Sequence, residues 1–276
     1  MSDHLKAFII GIVEGLTEFL PVSSTAHIRI CQELLDIPMH DDYWKMFAVV
    51  IQLGAILAVL VYFRYRILDF LKHFPAGRSG TRQWWNHPLS LVLLSFVVTA
   101  LPCFLLDKYI GENLEDFTVI GLALILGGVA MWWIDKTFSP RATTFQMDDM
   151  NFRQAICIGC TQILAAMFPG VSRSMATIAG GQLMGLSRPA ALEFSFFLSL
   201  PVMIAATGYK LLQYTIQNGS SLASNQWLLL ANGFFVSFVV GWAVIAWFML
   251  WVNQHGFTPF ALYRIVVGAA VLMWLT

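Results

Sequence analysis

The stretch EGLTEFLPVSSTAH, from Glu14 to His27, places two carboxylates, a proline, a run of hydroxyls and an imidazole in an otherwise apolar chain. On a helix, Glu14 and Glu18 are four residues apart, about 40° around the axis, so both carboxylates share one face. That geometry suits a shared divalent cation. A charge at membrane depth costs about 2.5 to 3.5 kcal/mol on insertion scales, and two like charges also repel, so a positive partner is expected. Pro21 ends the first helix, and Ser23, Ser24 and Thr25 are suited to cap the next, leaving backbone N–H groups and a positive dipole end at the break. His27 follows Ser24 by one helical turn, within reach for proton exchange with a hydroxyl or a phosphate oxygen.

A second break, FPGVSRS from Phe168 to Ser174, carries Pro169 and Gly170 and then Ser172, Arg173 and Ser174. Two helix N-termini and a guanidinium fork make an anion cradle. A carboxylate pair, an anion cradle, a hydroxyl and an imidazole together describe phosphoryl transfer. Ser24 attacking with His27 handling the proton, and His27 activating water or being phosphorylated itself, remain two open versions. Blander readings exist for each group: a solvated carboxylate pair in the headgroup region, a snorkelling Arg173, and hydroxyls that only cap helices.

The elements that must hold these residues are membrane helices. Of the 276 residues, 58% are hydrophobic and 12% charged, well outside the usual soluble mix. Apolar runs of roughly 20 residues recur at 45–64, 89–107, 117–135, 191–212, 227–250 and 257–275, each long enough to span the hydrocarbon core. Most tryptophans fall near the ends of these runs, as interfacial residues do. The net charge of zero offers nothing to nucleic acid. Cys157 and Cys160 have redox-motif spacing, but in an apolar helix they read as packing thiols. The N-terminus lacks the pattern of a cleaved signal peptide.

The two broken segments resemble each other. AFIIGIVEGLTEFLPVSST lies over AICIGCTQILAAMFPGVSRS, so that Gly11 meets Gly159, Glu14 meets Gln162 and Pro21 meets Pro169. Phe47 corresponds to Phe194, and FTVIGLALILGG from Phe117 to FTPFALYRIVVG from Phe257. Each half is then one broken segment followed by three crossings, and the odd number inverts the second half. A break at membrane depth must be buried in protein or line a wet cavity, so both segments read as re-entrant hairpins whose tips meet. The expected fold class is an all-α integral membrane protein of six transmembrane helices plus two re-entrant helical hairpins in an inverted-topology repeat. The halves are about 1–135 and 152–276 of a single membrane domain, joined by a cytoplasmic loop at about 136–151.

Orientation follows from basic residues in the loops. Arg64, Arg66, Lys72, Arg78 and Arg82, and then Lys136, Arg141 and Arg153, mark two cytoplasmic loops. The 108–116 loop has Lys108 against Glu112, Glu115 and Asp116, and the 213–226 loop has no basic residue, which puts both outside together with both termini.

At these residues the sequence resembles the bacterial undecaprenyl-diphosphatase family, the integral membrane phosphatases linked to bacitracin resistance. EGLTEFLPVSSTAH and FPGVSRSMATI look like its two signature regions, and FAVVIQLGAILAV, EFSFFLSLPVM and FTPFALYRIVVGAAV extend the likeness along the chain. The resemblance implies hydrolysis of undecaprenyl diphosphate to the monophosphate and inorganic phosphate, which recycles the lipid carrier for cell-wall synthesis. It implies a divalent cation, Mg2+ or Ca2+, held by Glu14 and Glu18, and a multi-pass protein of the bacterial inner membrane whose active site faces the periplasm. It marks Glu14, Glu18, Ser24, His27 and Arg173 as catalytic; Ser23, Thr25, Gln162, Ser172 and Ser174, which lie beside them in the two breaks, are expected to bind substrate. Ala26 and Met175 stand where the family usually has glycine, which bears on substrate preference rather than reaction type. The expected partners are a polyprenyl diphosphate and membrane lipid, with no nucleic acid and a homo-oligomer left open. The rival class is an inverted-repeat transporter or flippase of a phosphorylated polyprenyl lipid, which needs no attacking group. A purely structural protein would leave Glu14, Glu18 and Arg173 without purpose, and Arg264 in the last crossing has no assigned partner.

Overall fold

The structure, a computed structural model, describes all residues except 39–40, 78–79, 81–82, 107–115 and 219–221. His40 and the loop charges Arg78, Arg82, Lys108, Glu112 and Glu115 used for orientation lie outside the described residues.

The regular structure of the described residues is helical, with a few short 3₁₀ turns and one isolated β-bridge between Thr144 and Leu186. Its helices are α1 (Asp3–Thr17), α2 (Ser24–Leu34), α3 (Asp42–Tyr62), α4 (Arg64–His73), α5 (Pro88–Leu106), α6 (Phe117–Phe138), α7 (Phe152–Met167), α8 (Arg173–Leu183), α9 (Arg188–Asn218), α10 (Ser224–His255) and α11 (Thr258–Trp274). Five of them, α3, α5, α6, α9 and α10, are long and apolar enough to cross a membrane. The sixth expected crossing is α11, a shorter apolar helix of 17 residues.

The boundaries have local causes. Asp41 accepts the Trp44 N–H at 2.9 Å to start α3, and Asn151 with Gln154 forms a reciprocal capping box at α7. Asp116 accepts the Thr118 N–H at 2.6 Å at the start of α6, and that backbone hydrogen bond holds its carboxyl below the usual range.

The outer faces are apolar. On α6, Leu122, Leu126, Val129 and Trp133 recur at helical spacing and are all exposed. On α5, Leu93, Val97, Leu101 and Phe104 form a similar stripe. Such stripes are stable against lipid tails and costly against water. Inside, Phe19, Phe63, Phe194, Phe196, Phe197, Phe248 and Phe257 belong to one large core of interlocking rings.

Packing pairs the short helices with long ones in matching ways: α1 lies along α10, and α7 lies along α5. Small residues allow the close approach. A β-carbon on Gly11 would sit 2.8 Å from the Gly233 carbonyl oxygen, and one on Gly159 would sit 2.8 Å from that of Ser95. A buried ion cluster closes the far end, where Asp135 accepts from Arg188 at 2.7 and 3.0 Å, from Gln182 at 2.9 Å and from the Phe257 N–H at 3.2 Å. At the same end Arg66 pairs with Glu193 at 2.9 Å and with Asp148.

Candidate active site

The chain breaks twice, between α1 and α2 and between α7 and α8, and the two breaks meet. Their local geometry is nearly the same. Ser23 caps α2 with φ 75° and accepts the Ala26 N–H at 3.4 Å, while Ser172 caps α8 with φ 76° and accepts the Met175 N–H at 3.3 Å. A non-glycine residue held at positive φ costs about 1 to 3 kcal/mol, and the surrounding structure must enforce it.

The enforcement is visible. Arg264, fully buried on α11, donates to the Pro21 carbonyl at 3.1 Å, to Gly170 at 2.9 Å and to Ala123 of α6 at 3.2 Å. Ser174 Oγ donates to the Leu20 carbonyl at 2.9 Å and lies 3.0 Å from Ser172 Oγ. One guanidinium and one hydroxyl therefore satisfy carbonyls that the breaks leave without helical partners.

A cavity of about 160 Å³ sits between the breaks, lined by Glu18, Ser23, Ser24, Thr25, Gln52, Pro169, Gly170, Ser172 and Arg173. Arg173 Nη2 donates to Glu18 Oε1 at 3.0 Å, and Nη1 to the Ser195 carbonyl at 3.3 Å. Ser24 Oγ donates to Glu18 Oε2 at 2.5 Å. Glu18 is thus the hub, joining the hydroxyl of one break to the guanidinium of the other.

Glu14 stands one turn earlier on α1, fully buried, and neither carboxylate oxygen has a hydrogen-bond partner among the described residues. A buried carboxylate in that state is costly unless it takes up a proton or a cation. Glu14 and Glu18 therefore fit a divalent ion. Two carboxylates suffice when substrate phosphate and water complete the shell, as is usual for Mg2+.

Other expected residues lie apart from the cavity. His27 is not joined to Ser24: its Nδ1 lies 2.7 Å from the Ser23 carbonyl and its Nε2 2.8 Å from the Tyr263 hydroxyl, with the two rings stacked. Gln162 is buried and donates to Thr99 Oγ1 at 3.0 Å across the α5–α7 contact. Ser174 ties the breaks together instead of lining the space between them.

Reading the sequence missed Gln52, Tyr263 and Ser195. Gln52 had a signal, since an amide amid the apolar run from Phe47 to Val59 needs a reason to be there. Tyr263 had none, because its partner His27 is 236 positions away. Arg264, unassigned from sequence, pairs with carbonyls and with no acid among the described residues.

An all-helical chain with lipid-facing stripes and a charged cavity where two helix breaks meet is a multi-pass membrane protein with a buried polar site. Residues 7–270 match the Bacitracin resistance protein BacA family, and the chain belongs to that family. It is 53% identical to the undecaprenyl-diphosphatase of Koribacter versatilis (strain Ellin345), covering 99% of both chains. It is 41% identical to the undecaprenyl-diphosphatase of Caldanaerobacter subterraneus subsp. tengcongensis, over 99% of this chain and 96% of the other. Undecaprenyl-diphosphatase 3 of Acinetobacter baylyi is also 41% identical, over 98% and 97% of the two chains.

Proposed function

We propose that this protein hydrolyses undecaprenyl diphosphate to undecaprenyl phosphate and inorganic phosphate, recycling the lipid carrier for peptidoglycan synthesis. The observation that carries the reading is the Ser24–Glu18–Arg173 chain across the two breaks, with the unpartnered Glu14 behind it. A carrier would need the cradle but not a hydroxyl already bonded to a carboxylate acceptor.

In this reading Arg173 and the two capped helix N-termini bind the terminal phosphoryl and stabilise its growing charge. Ser24 Oγ attacks phosphorus, its proton passes to Glu18 Oε2, and the bond to the bridging oxygen breaks, releasing undecaprenyl phosphate. Glu18 hands that proton to the departing phosphate; water then attacks the phosphoserine phosphorus and gives a proton to Glu18 Oε2, the Ser24 Oγ–P bond breaks, and Oγ takes the proton back as orthophosphate leaves. Glu14 and Glu18 would hold a divalent cation, Mg2+ or Ca2+, which would supply charge neutralisation to the substrate phosphates. His27, bonded to Ser23 and Tyr263, holds the first break in shape.

The membrane arrangement belongs to the same proposal. The α1–α2 and α7–α8 segments are re-entrant hairpins, and α3, α5, α6, α9, α10 and α11 are six crossings in two inverted halves, about 1–135 and 152–276. The termini and the site face the periplasmic side of the bacterial inner membrane. Phosphate release from a polyprenyl diphosphate by pure protein in detergent tests the activity, since no membrane is left to cross. Release should stop with a chelator and return with cation. Binding without release would favour the flippase.

A further inference from the structure

A second cavity, about 270 Å³, lies along the helices that wall the first, bounded by Arg29, Asp42, Lys45, Lys210, Gln213 and Tyr214. The two spaces follow one another in the same direction on each helix. On α3 Val49 lines the second and Gln52 the first; on α9 Lys210 lines the second and Met203 the first; on α2 Arg29 lines the second and Thr25 the first. At 1.5 Å per residue these steps are about 4.5, 10.5 and 6 Å. The second cavity is therefore stacked on the first, toward the Asp42 end of α3.

Its charge is one-sided. Arg29, Lys45 and Lys210 line it, and Asp42 is the one acid among the lining residues. The Lys210 ammonium donates to Gln213 Oε1 at 3.3 Å, which orients that amide and leaves its NH2 as a further donor. Asp41 is engaged as the α3 cap and is not among the lining residues. A walled space with surplus cations concentrates oxyanions, and ammonium and guanidinium groups bind phosphate oxygens through charge-assisted hydrogen bonds.

We propose that this cavity is a second phosphate-oxyanion site, which receives the orthophosphate leaving the cavity between the helix breaks. The idea rests on the hydrolase reading, because only cleavage liberates a free phosphate there. An anion released against Arg173 would otherwise rebind. A cationic space one step outward gives it a competing partner on the way out.

Orthophosphate binding to the full chain in detergent, followed by isothermal titration calorimetry, tests this. Arg173→Ala removes affinity at the first cavity and should leave one phosphate site. Adding Lys45→Gln and Lys210→Gln should weaken that site at least tenfold, while the Lys45→Arg and Lys210→Arg pair in the same background should retain it, which separates lost charge from lost folding. No phosphate binding by Arg173→Ala, or undiminished binding after the glutamine changes, overturns the proposal. A short-chain phosphatidylglycerol that displaces phosphate at concentrations below those of orthophosphate itself would give the site to lipid headgroups and also overturn it. The measurement needs no turnover, so absent phosphate release by the wild type would count against the hydrolase reading alone.

Discussion

Ser24 and His27 are three residues apart, yet the structure sends their hydrogen bonds in different directions: Ser24 to Glu18, His27 to Ser23 and Tyr263. If Glu18 takes the proton, Ser24→Ala should lower kcat by about 10²-fold or more, and His27→Gln by about tenfold through loosening of the break. Phosphate-release kinetics decide it, and equal losses in the two variants would return the proton to His27. Glu14→Gln should raise the cation concentration for half-maximal rate on the order of tenfold, read from a metal-buffered titration. An unmoved curve would take Glu14 out of the metal site. The shared face of Glu14 and Glu18 and a hydroxyl cap on α2 were legible in sequence because helix spacing and capping are local rules, and the cap is Ser23. The Arg173 contact was legible only through the repeat, since it joins residues 155 positions apart. The direction of the His27 ring was not legible, because Tyr263 decides it from another helix.

The elements meet through backbone more than through side-chain pairs. Arg264 holds both breaks by carbonyl groups, and a carbonyl carries no residue-type signature, so no pattern in the sequence points to it. Helix existence and the position of both breaks were legible, since apolar length, proline and hydroxyl caps are written locally. Arg264→Met should leave three buried carbonyls without that donor, at about 1 kcal/mol or more each, for a loss of about 3 kcal/mol. Denaturant unfolding of the detergent-solubilised protein measures it. Arg264→Lys should recover part of the loss, because an ammonium reaches fewer carbonyls than a planar fork. A second element-scale consequence concerns α1, where a β-carbon on Gly15 would lie 2.9 Å from the Ser237 carbonyl oxygen. Gly15→Val should push α1 off α10 and displace both glutamates, lowering activity more than fold stability. Activity and unfolding compared on one preparation would show whether the loss follows the site.

At the scale of the molecule, the two halves use their short helices alike, α1 against α10 and α7 against α5, and they build breaks with matching caps at Ser23 and Ser172. The halves differ in chemistry: where the first break brings Glu14, Glu18 and Ser24, the second has Gln162, Ala166 and Arg173 at the corresponding places. A symmetric scaffold with an asymmetric site has a topological cost that can be measured. The proposed three crossings per half require the segment between α6 and α7 to lie on the opposite side of the bilayer from the segment before α10. In a variant with Cys31, Cys103, Cys157 and Cys160 replaced, a cysteine at Ala142 should react with a membrane-impermeant maleimide only from the cytoplasmic side, and one at Ala223 only from the periplasmic side. Labelling of both from the same side would mean that α9 does not cross as drawn. The halves would then not be inverted, and the meeting of their breaks would need another explanation.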